Sequence, residues 1–128
     1  MKIYFLTLEE VLEIHSDQLQ RYGGGPGIRD QGLLISALAQ PSSSFQGQYL
    51  HSSLFHMAAA YLFHIVKNHP FIDGNKRTGV VSSLMFLALN EIEIELSEDE
   101  MEKMVLDVAS SKMEKDALCH WFEQHVQT

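Results

Sequence analysis

The sequence is poor in cysteine, proline and long apolar runs. Its 128 residues include three prolines and one cysteine, Cys119. A single cysteine excludes an internal disulfide framework and a cysteine-rich zinc site. No window reaches the roughly eighteen uninterrupted apolar residues of a membrane span. The N-terminal apolar run is short and is followed by acidic residues, unlike a secretory signal. We therefore expect a cytoplasmic protein without a membrane segment.

Positive charge is also scarce. Lys and Arg total 9 against 17 Asp and Glu, which gives a formal net charge of −8. An acidic chain is a poor candidate for direct nucleic-acid binding, because that binding depends on neutralising phosphates. The acidic excess falls entirely after Asn90. Acids and bases balance before it, and the basic residues between Lys67 and Arg77 leave room for a local anion site.

The length and composition predict one globular domain over residues 1–128. Hydrophobic residues make up 45% and charged residues 20% of the chain, which is the profile of a folded domain. The length is close to the common size of a single domain. No internal repeat or linker divides the chain.

Helix signals dominate the chain and predict an all-α, compact helical bundle. Thr7 with Glu10, and Ser97 with Glu100, form capping boxes that indicate helix starts. Residues 91–96 instead alternate with period two, which predicts a short extended segment. Loops are predicted at Gly23–Gly27 and Ser42–Gly47. The predicted helices run from Thr7 to near Tyr22, from Asp30 to before Pro41, from Ser52 or Ser53 to near Asn68, from around Asn75 to Asn90, from Ser97 through Val108, and over Leu118 to Val126.

The stretch His69–Thr78 joins the two most apolar helices, so a rigid scaffold should fix it. The imidazole of His69 can take a proton from a hydroxyl nucleophile. Asp73 offers hard oxygen ligands suited to a magnesium ion on a polyphosphate.

The second half of this stretch has the residues of a phosphate cradle. Gly74 permits a tight turn, and the free backbone amides of the next helix start can bind an anion. Lys76 and Arg77 add full positive charges. Together with His69, these are the parts of a phosphate-transfer site. An ordinary surface turn with an exposed Lys-Arg pair has the same composition, so the residues alone leave both interpretations open.

The ten residues His69–Thr78 resemble the signature motif of the Fic/Doc family. That motif is a histidine, a phenylalanine, an acidic residue, a small residue and an asparagine, then glycine or lysine, then arginine. The chain is similar in particular to the death-on-curing (Doc) branch, the toxins of bacterial toxin–antitoxin pairs. The resemblance implies an all-α Fic fold and transfer of part of a nucleotide to a protein hydroxyl. It extends over Thr7–His15, Gly27–Asp30, Gly32–Leu34, Ala37–Leu38 and Ala59–Leu62.

The resemblance also implies a role for each residue of the motif. His69 would be the general base, and Asp73 would be the magnesium ligand. Phe71 would pin the loop to the core. The phosphates of ATP would be held by Gly74, Asn75, Lys76 and Arg77.

Two departures from the wider Fic pattern favour phosphoryl transfer over AMP transfer. Adenylylating members commonly have glycine where this chain has Lys76, and a second arginine where it has Val80. Both differences resemble Doc, whose branch is associated with phosphorylating a threonine of translation elongation factor Tu. We therefore expect transfer of the γ-phosphoryl group of ATP, with Mg²⁺, and a block of translation. The alternatives are a protein adenylyltransferase and a non-catalytic Fic-like binding module.

The resemblance further implies a partner protein. Ser110–Glu114 partly match the self-inhibitory Fic helix, but Lys115 stands where that motif has glycine or asparagine. We therefore expect inhibition by a separate antitoxin chain that lays a helix into a groove near the active loop. Arg29 and Asp30 follow a flexible Gly-Pro-Gly stretch, which leaves open a mobile flap or, for Asp30, a helix cap.

Overall fold

A computed structural model describes residues 2–127 of the chain. Most of these residues are helical, which confirms the predicted all-α bundle. None of the helices in the described range is long and apolar enough to cross a membrane. The helices are α1 (Leu8–Tyr22), α2 (Gln31–Ala39), α3 (Leu54–Asn68), α4 (Asn75–Leu89), α5 (Glu98–Ala109) and α6 (Lys115–Gln124).

Side-chain caps set most of the helix starts. The Thr7 hydroxyl accepts a hydrogen bond from the Glu10 N–H, and the Glu10 carboxylate accepts one from the Thr7 N–H. The second predicted capping box starts α5 in the same way. Asp30 caps α2 and Ser53 caps α3. Each such cap stabilises its helix by about 1 kcal/mol, so local sequence fixes where these helices begin.

Helix α3 lies at the centre of the bundle, as its apolar composition predicted. It contacts α2, α4, α5 and α6, and its residues Met57–Leu62 are buried. α3 and α4 approach each other closely at Gly79. A Cβ atom there would lie 3.0 Å from Val66 Cγ2 and 3.4 Å from the Leu62 carbonyl oxygen. This tight helix pair fixes both ends of the short connection at residues 69–74.

Part of the loop predicted at Ser42–Gly47 forms a hairpin instead. Strands β1 (Ser44–Phe45) and β2 (Gln48–Tyr49) pair antiparallel. The two turn residues, Gln46 and Gly47, have positive φ values of 51° and 80°, the geometry that suits a two-residue hairpin turn. Two-residue strands are too short to show an alternating pattern, so no sequence pattern predicts this hairpin.

The last helix ends earlier than predicted. It ends at Gln124, and Val126, which we had assigned to it, forms an isolated antiparallel bridge with Ile94. The Glu95 N–H also donates to the His125 carbonyl at 2.8 Å. Backbone groups of the extended segment 91–96 thus take residues 125–127 out of the helix, a tertiary contact that helical spacing does not reveal.

Candidate active site

The exposed histidine of the motif sits at the end of α3. His69 follows the last helical residue with φ 51° and ψ 53°, a left-handed conformation that costs a non-glycine residue about 1–2 kcal/mol. Pro70 comes next and disfavours further helix. The His69 side chain is exposed and lines a groove. Its ring is therefore within reach of a hydroxyl on another molecule.

Phe71 anchors the connection to the core, as predicted. It is fully buried, and its ring stacks on the His15 imidazole with ring centroids 3.8 Å apart and an interplanar angle of 8°. His15, on α1, also donates a hydrogen bond from Nε2 to the Asp73 carbonyl oxygen at 2.8 Å. His15 therefore supports two residues of the site, and the sequence analysis missed it.

Asn75 closes the connection with its side chain. Its amide oxygen accepts a hydrogen bond from the Phe71 N–H at 2.9 Å, and its amide nitrogen donates to the Phe71 carbonyl at 3.0 Å. The residue is 5% exposed. Because the side chain is committed to Phe71, the group that Asn75 can offer to a phosphate is its backbone N–H.

Gly74 starts α4 in a conformation that favours glycine. It has φ 79° and ψ 16°, and a Cβ atom there would lie 3.3 Å from Leu19 Cδ2. The first backbone hydrogen bond of the helix runs from the Thr78 N–H to the Gly74 carbonyl at 3.0 Å. Within residues 2–127, the N–H groups of residues 75–77 have no acceptor. These three amides, at the positive end of a 15-residue helix, form an anion cradle.

Two cations flank the anion cradle. The Arg77 guanidinium lies over the Tyr22 ring, with Cζ 4.7 Å from the ring centroid. Across the described part of the chain, neither Lys76 nor Arg77 forms an ion pair with a carboxylate. Their charges are therefore free to attract a phosphate, and Arg77 can meet it with two N–H groups at once.

The Asp73 carboxylate lies beside the anion cradle and is ionised. It accepts hydrogen bonds from the Gly25 N–H at 3.2 Å and from the Gly74 N–H at 2.9 Å. These two hydrogen bonds, and to a smaller extent the charge of Arg77, hold the pKa of Asp73 below its ordinary value. The group keeps its negative charge at neutral pH and in mild acid.

Asp73 fits a divalent cation that is shared with a phosphate. The described residues contain no group of three or more His, Cys, Asp or Glu side chains that could enclose a metal ion. Mg²⁺ commonly keeps several waters and is held by one or two carboxylates together with substrate phosphates. A single ionised carboxylate beside an anion cradle matches that ligand set.

A groove of about 1150 Å³ brings the predicted site residues together. His69, Asp73 and residues 74–77 all line it. Ligand pockets are typically about 300–1,000 Å³, so this groove has room for a nucleotide and for part of a second molecule. Helix α5 contributes an apolar and acidic lining, formed by Met101, Val105, Leu106, Ala109, Glu98 and Glu102.

The Gly-rich segment before α2 is fastened to the site. Ile28 and Phe71 form an isolated antiparallel bridge, and the Ile72 N–H donates to the Gly27 carbonyl at 3.1 Å. Asp30 caps α2, which is the structural role that the sequence offered for it. Residues 27–30 are therefore tied by backbone hydrogen bonds to the connection that carries the site, although they do not line the groove.

A cluster of basic side chains lies outside this groove. Lys115 Nζ is 3.0 Å from His51 Nε2 and 2.8 Å from His64 Nε2. Burial, and secondly the charge of Lys115, lower the pKa of both histidines to about 4. The neutral rings accept hydrogen bonds from the ammonium group and hold the start of α6 against α3. Lys115, which departs from the self-inhibitory Fic motif, therefore has a structural role.

Comparisons with known proteins agree with the motif. The sequence profile of the Fic/DOC family matches residues 5–87, which include the motif His69–Thr78. The chain is 32% identical over 116 residues to a protein of Mycolicibacterium smegmatis named Toxin Doc, covering 89% of this chain and 87% of that relative. It is also 32% identical over 89 residues to Protein kinase doc of Escherichia phage P1, covering 70% of each.

Proposed function

The chain belongs to the Fic/DOC family, and from that premise we propose that this Doc-like toxin is a protein kinase. It transfers the γ-phosphoryl group of ATP to a serine or threonine hydroxyl of a target protein. One observation carries this proposal: an exposed histidine, an ionised carboxylate and three free amides share one groove. Phosphoryl transfer requires a base, charge neutralisation and alignment, and these groups supply them.

His69 is the proton acceptor in the proposed reaction. The target hydroxyl oxygen attacks the γ-phosphorus, and the bond from that phosphorus to the β,γ-bridging oxygen breaks. The hydroxyl proton passes to the unprotonated ring nitrogen of His69, and ADP leaves with the electron pair of the broken bond. The products are a phosphoprotein and ADP.

Residues 74–77 bind and orient the nucleotide. The free backbone amides of residues 75–77 bind phosphate oxygens, while Lys76 and Arg77 neutralise phosphate charge. Asp73 would hold Mg²⁺, which when bound withdraws charge from the phosphate oxygens. The His69 ring lines the same groove and can therefore meet the hydroxyl beside the bound phosphates.

The proposed target and inhibitor are both proteins. The target is a translation protein such as elongation factor Tu, whose phosphorylation would block translation in the cytoplasm. The inhibitor is a separate antitoxin chain that lays an amphipathic helix into the groove. Its apolar face would cover Met101 and Val105, and its basic residues would lie near Glu98 and Glu102.

Lys76→Gly should weaken phosphorylation and permit some AMP transfer. The lysine fills space at the start of α4 and adds a charge, so it favours the orientation that presents the γ-phosphate. The lost charge-assisted contact amounts to roughly ten- to a hundredfold in rate. ATP labelled separately at the α and γ positions, incubated with purified elongation factor Tu, measures both reactions.

The matched control for this experiment is Lys112→Gly, at an exposed lysine outside the groove. The control should transfer the γ label at the wild-type rate. Label from the α position alone would instead establish adenylylation. If neither label reaches a protein, in purified target or in cell extract, the chain is a binding module without turnover.

Asp73→Asn should raise the Mg²⁺ concentration needed for ATP binding by about tenfold, because a charged oxygen ligand becomes a neutral one. The asparagine oxygen can still accept a hydrogen bond from the Gly74 N–H, but its amide nitrogen cannot accept one from the Gly25 N–H, so the melting temperature of the variant is measured alongside. Calorimetric titration of ATP at a series of Mg²⁺ concentrations measures the shift. Asp30→Asn, which preserves a helix cap outside the groove, is the control. An identical Mg²⁺ dependence in both variants would remove Asp73 from the metal role.

A further inference from the structure

Arg29 binds the backbone on both sides of His69. Its Nε donates a hydrogen bond to the His69 carbonyl at 2.6 Å, and its Nη2 donates to the Asn68 carbonyl at 2.9 Å. The Arg29 backbone N–H donates to the Pro70 carbonyl at 2.7 Å. One residue thus holds three consecutive carbonyl groups at the junction where α3 ends.

The junction needs such a partner. The last carbonyl groups of an α-helix have no N–H donor within the helix, and they carry partial negative charge. His69 also has a left-handed backbone, with φ 51°, a conformation that persists only where surrounding contacts hold it. The planar guanidinium of Arg29 presents two N–H groups side by side and can satisfy two neighbouring carbonyls, which a single ammonium group does less well.

No side-chain interaction in the described residues orients the ring of His69. Within residues 2–127, no hydrogen bond or ion pair involves the His69 imidazole, and the residue is exposed. The backbone therefore sets the direction of the Cα–Cβ bond and with it the part of the groove that the ring can reach. A change in the His69 backbone torsions would move the ring away from the hydroxyl that it serves.

We propose that Arg29 is a positioning residue for His69: its side chain fixes the backbone at the end of α3 and thereby aims the imidazole into the groove. This role rests on the proposed phosphoryl transfer, in which His69 takes the proton. Nothing in the role requires Arg29 to contact ATP or the target.

The first test compares Arg29→Ala with Arg29→Lys. Both variants keep the backbone N–H that binds Pro70, so they isolate the side chain. We expect kcat to fall by about ten- to a hundredfold in Arg29→Ala, the scale of a slightly misplaced catalytic group, while ATP affinity changes little. Millimolar guanidinium should restore part of the lost rate in Arg29→Ala. Arg29→Lys should retain only part of the wild-type kcat, because an ammonium group does not present two parallel N–H groups to the two carbonyls. The control is Lys103→Ala, at an exposed cation outside the groove that pairs with Asp107.

The second test needs no reaction. The proton and carbon resonances at the Cε1 position of His69, assigned by their absence in His69→Ala, report the environment of the ring in the free protein. They should shift or broaden in Arg29→Ala and return towards wild type with guanidinium. If the wild-type protein transfers no phosphoryl group, the proposed function fails while this spectrum still decides the role of Arg29.

Two results would overturn the proposal. One is an Arg29→Ala protein with an unchanged His69 spectrum. The other is a parallel loss of rate, ATP affinity and melting temperature that guanidinium does not reverse, which would make Arg29 a general structural residue.

Discussion

His69→Ala is expected to abolish phosphoryl transfer while leaving ATP binding nearly intact. In the proposed reaction the base acts only on the incoming hydroxyl, whereas the phosphates would be held by residues 74–77. Removal of a general base lowers a rate by about a hundredfold to ten-thousandfold. The His69 side chain is exposed and makes no hydrogen bond within the described residues, so its loss should not disturb the fold.

Rate, binding and toxicity can be measured on the same variant. Transfer from γ-labelled ATP to purified elongation factor Tu gives the rate, and calorimetry gives the ATP affinity. Expression of the wild-type chain without an antitoxin should stop growth, and His69→Ala should relieve the arrest. His120→Ala removes another exposed histidine, on α6, and should behave as wild type. Growth arrest by His69→Ala at matched protein levels, or an equal loss of binding and transfer, would contradict the assigned role.

Phe71→Ala should lower the free energy of unfolding by about 3–5 kcal/mol, the usual cost of emptying a buried aromatic site. The ring is fully buried and stacks on His15, so its removal leaves a cavity between the connection and α1. The same change frees the loop that carries His69 and Asp73, and transfer should be lost with it.

Urea denaturation gives the free energy of unfolding of Phe71→Ala and of Ile72→Ala, which is the control at the neighbouring residue. Ile72 is 56% exposed, and its truncation should cost less than about 1 kcal/mol. His69→Ala, with wild-type stability and no transfer, separates chemistry from folding. Equal stabilities of Phe71→Ala and Ile72→Ala would mean that the connection is not anchored in the core.

The starts of α1, α2, α3 and α5 could be predicted because their causes are local. Thr7 and Ser97 bind amides three residues ahead, and Asp30 and Ser53 cap their own helices. The spacing of the residues along the sequence is sufficient to predict such contacts. The bridge of Val126 with Ile94, by contrast, joins two distant segments, and no spacing rule within either segment indicates it.

The same division applies to the site. The motif residues are contiguous, so their placement around one groove could be predicted from sequence, although the inward use of the Asn75 side chain could not. The sequence contains one indication of the role of His15: it is a polar residue that lies between the apolar residues Val11 and Leu19 of α1. In the structure it is buried. The sequence contains no such indication for Arg29, because an exposed arginine after a glycine-rich turn has the same local sequence whether or not it reaches the end of α3.

The side-chain clasp of Asn75 on Phe71 has a thermodynamic consequence for any nucleotide that enters the groove. The turn into α4 is already ordered by hydrogen bonds within the protein, so association need not freeze backbone torsions there. The loss of conformational entropy is then confined to long exposed side chains such as Lys76, at about 0.5–1.5 kcal/mol for each one immobilised. Association should therefore be driven by the enthalpy of charged hydrogen bonds, and its heat-capacity change should reflect the groove surface covered rather than any folding of the loop.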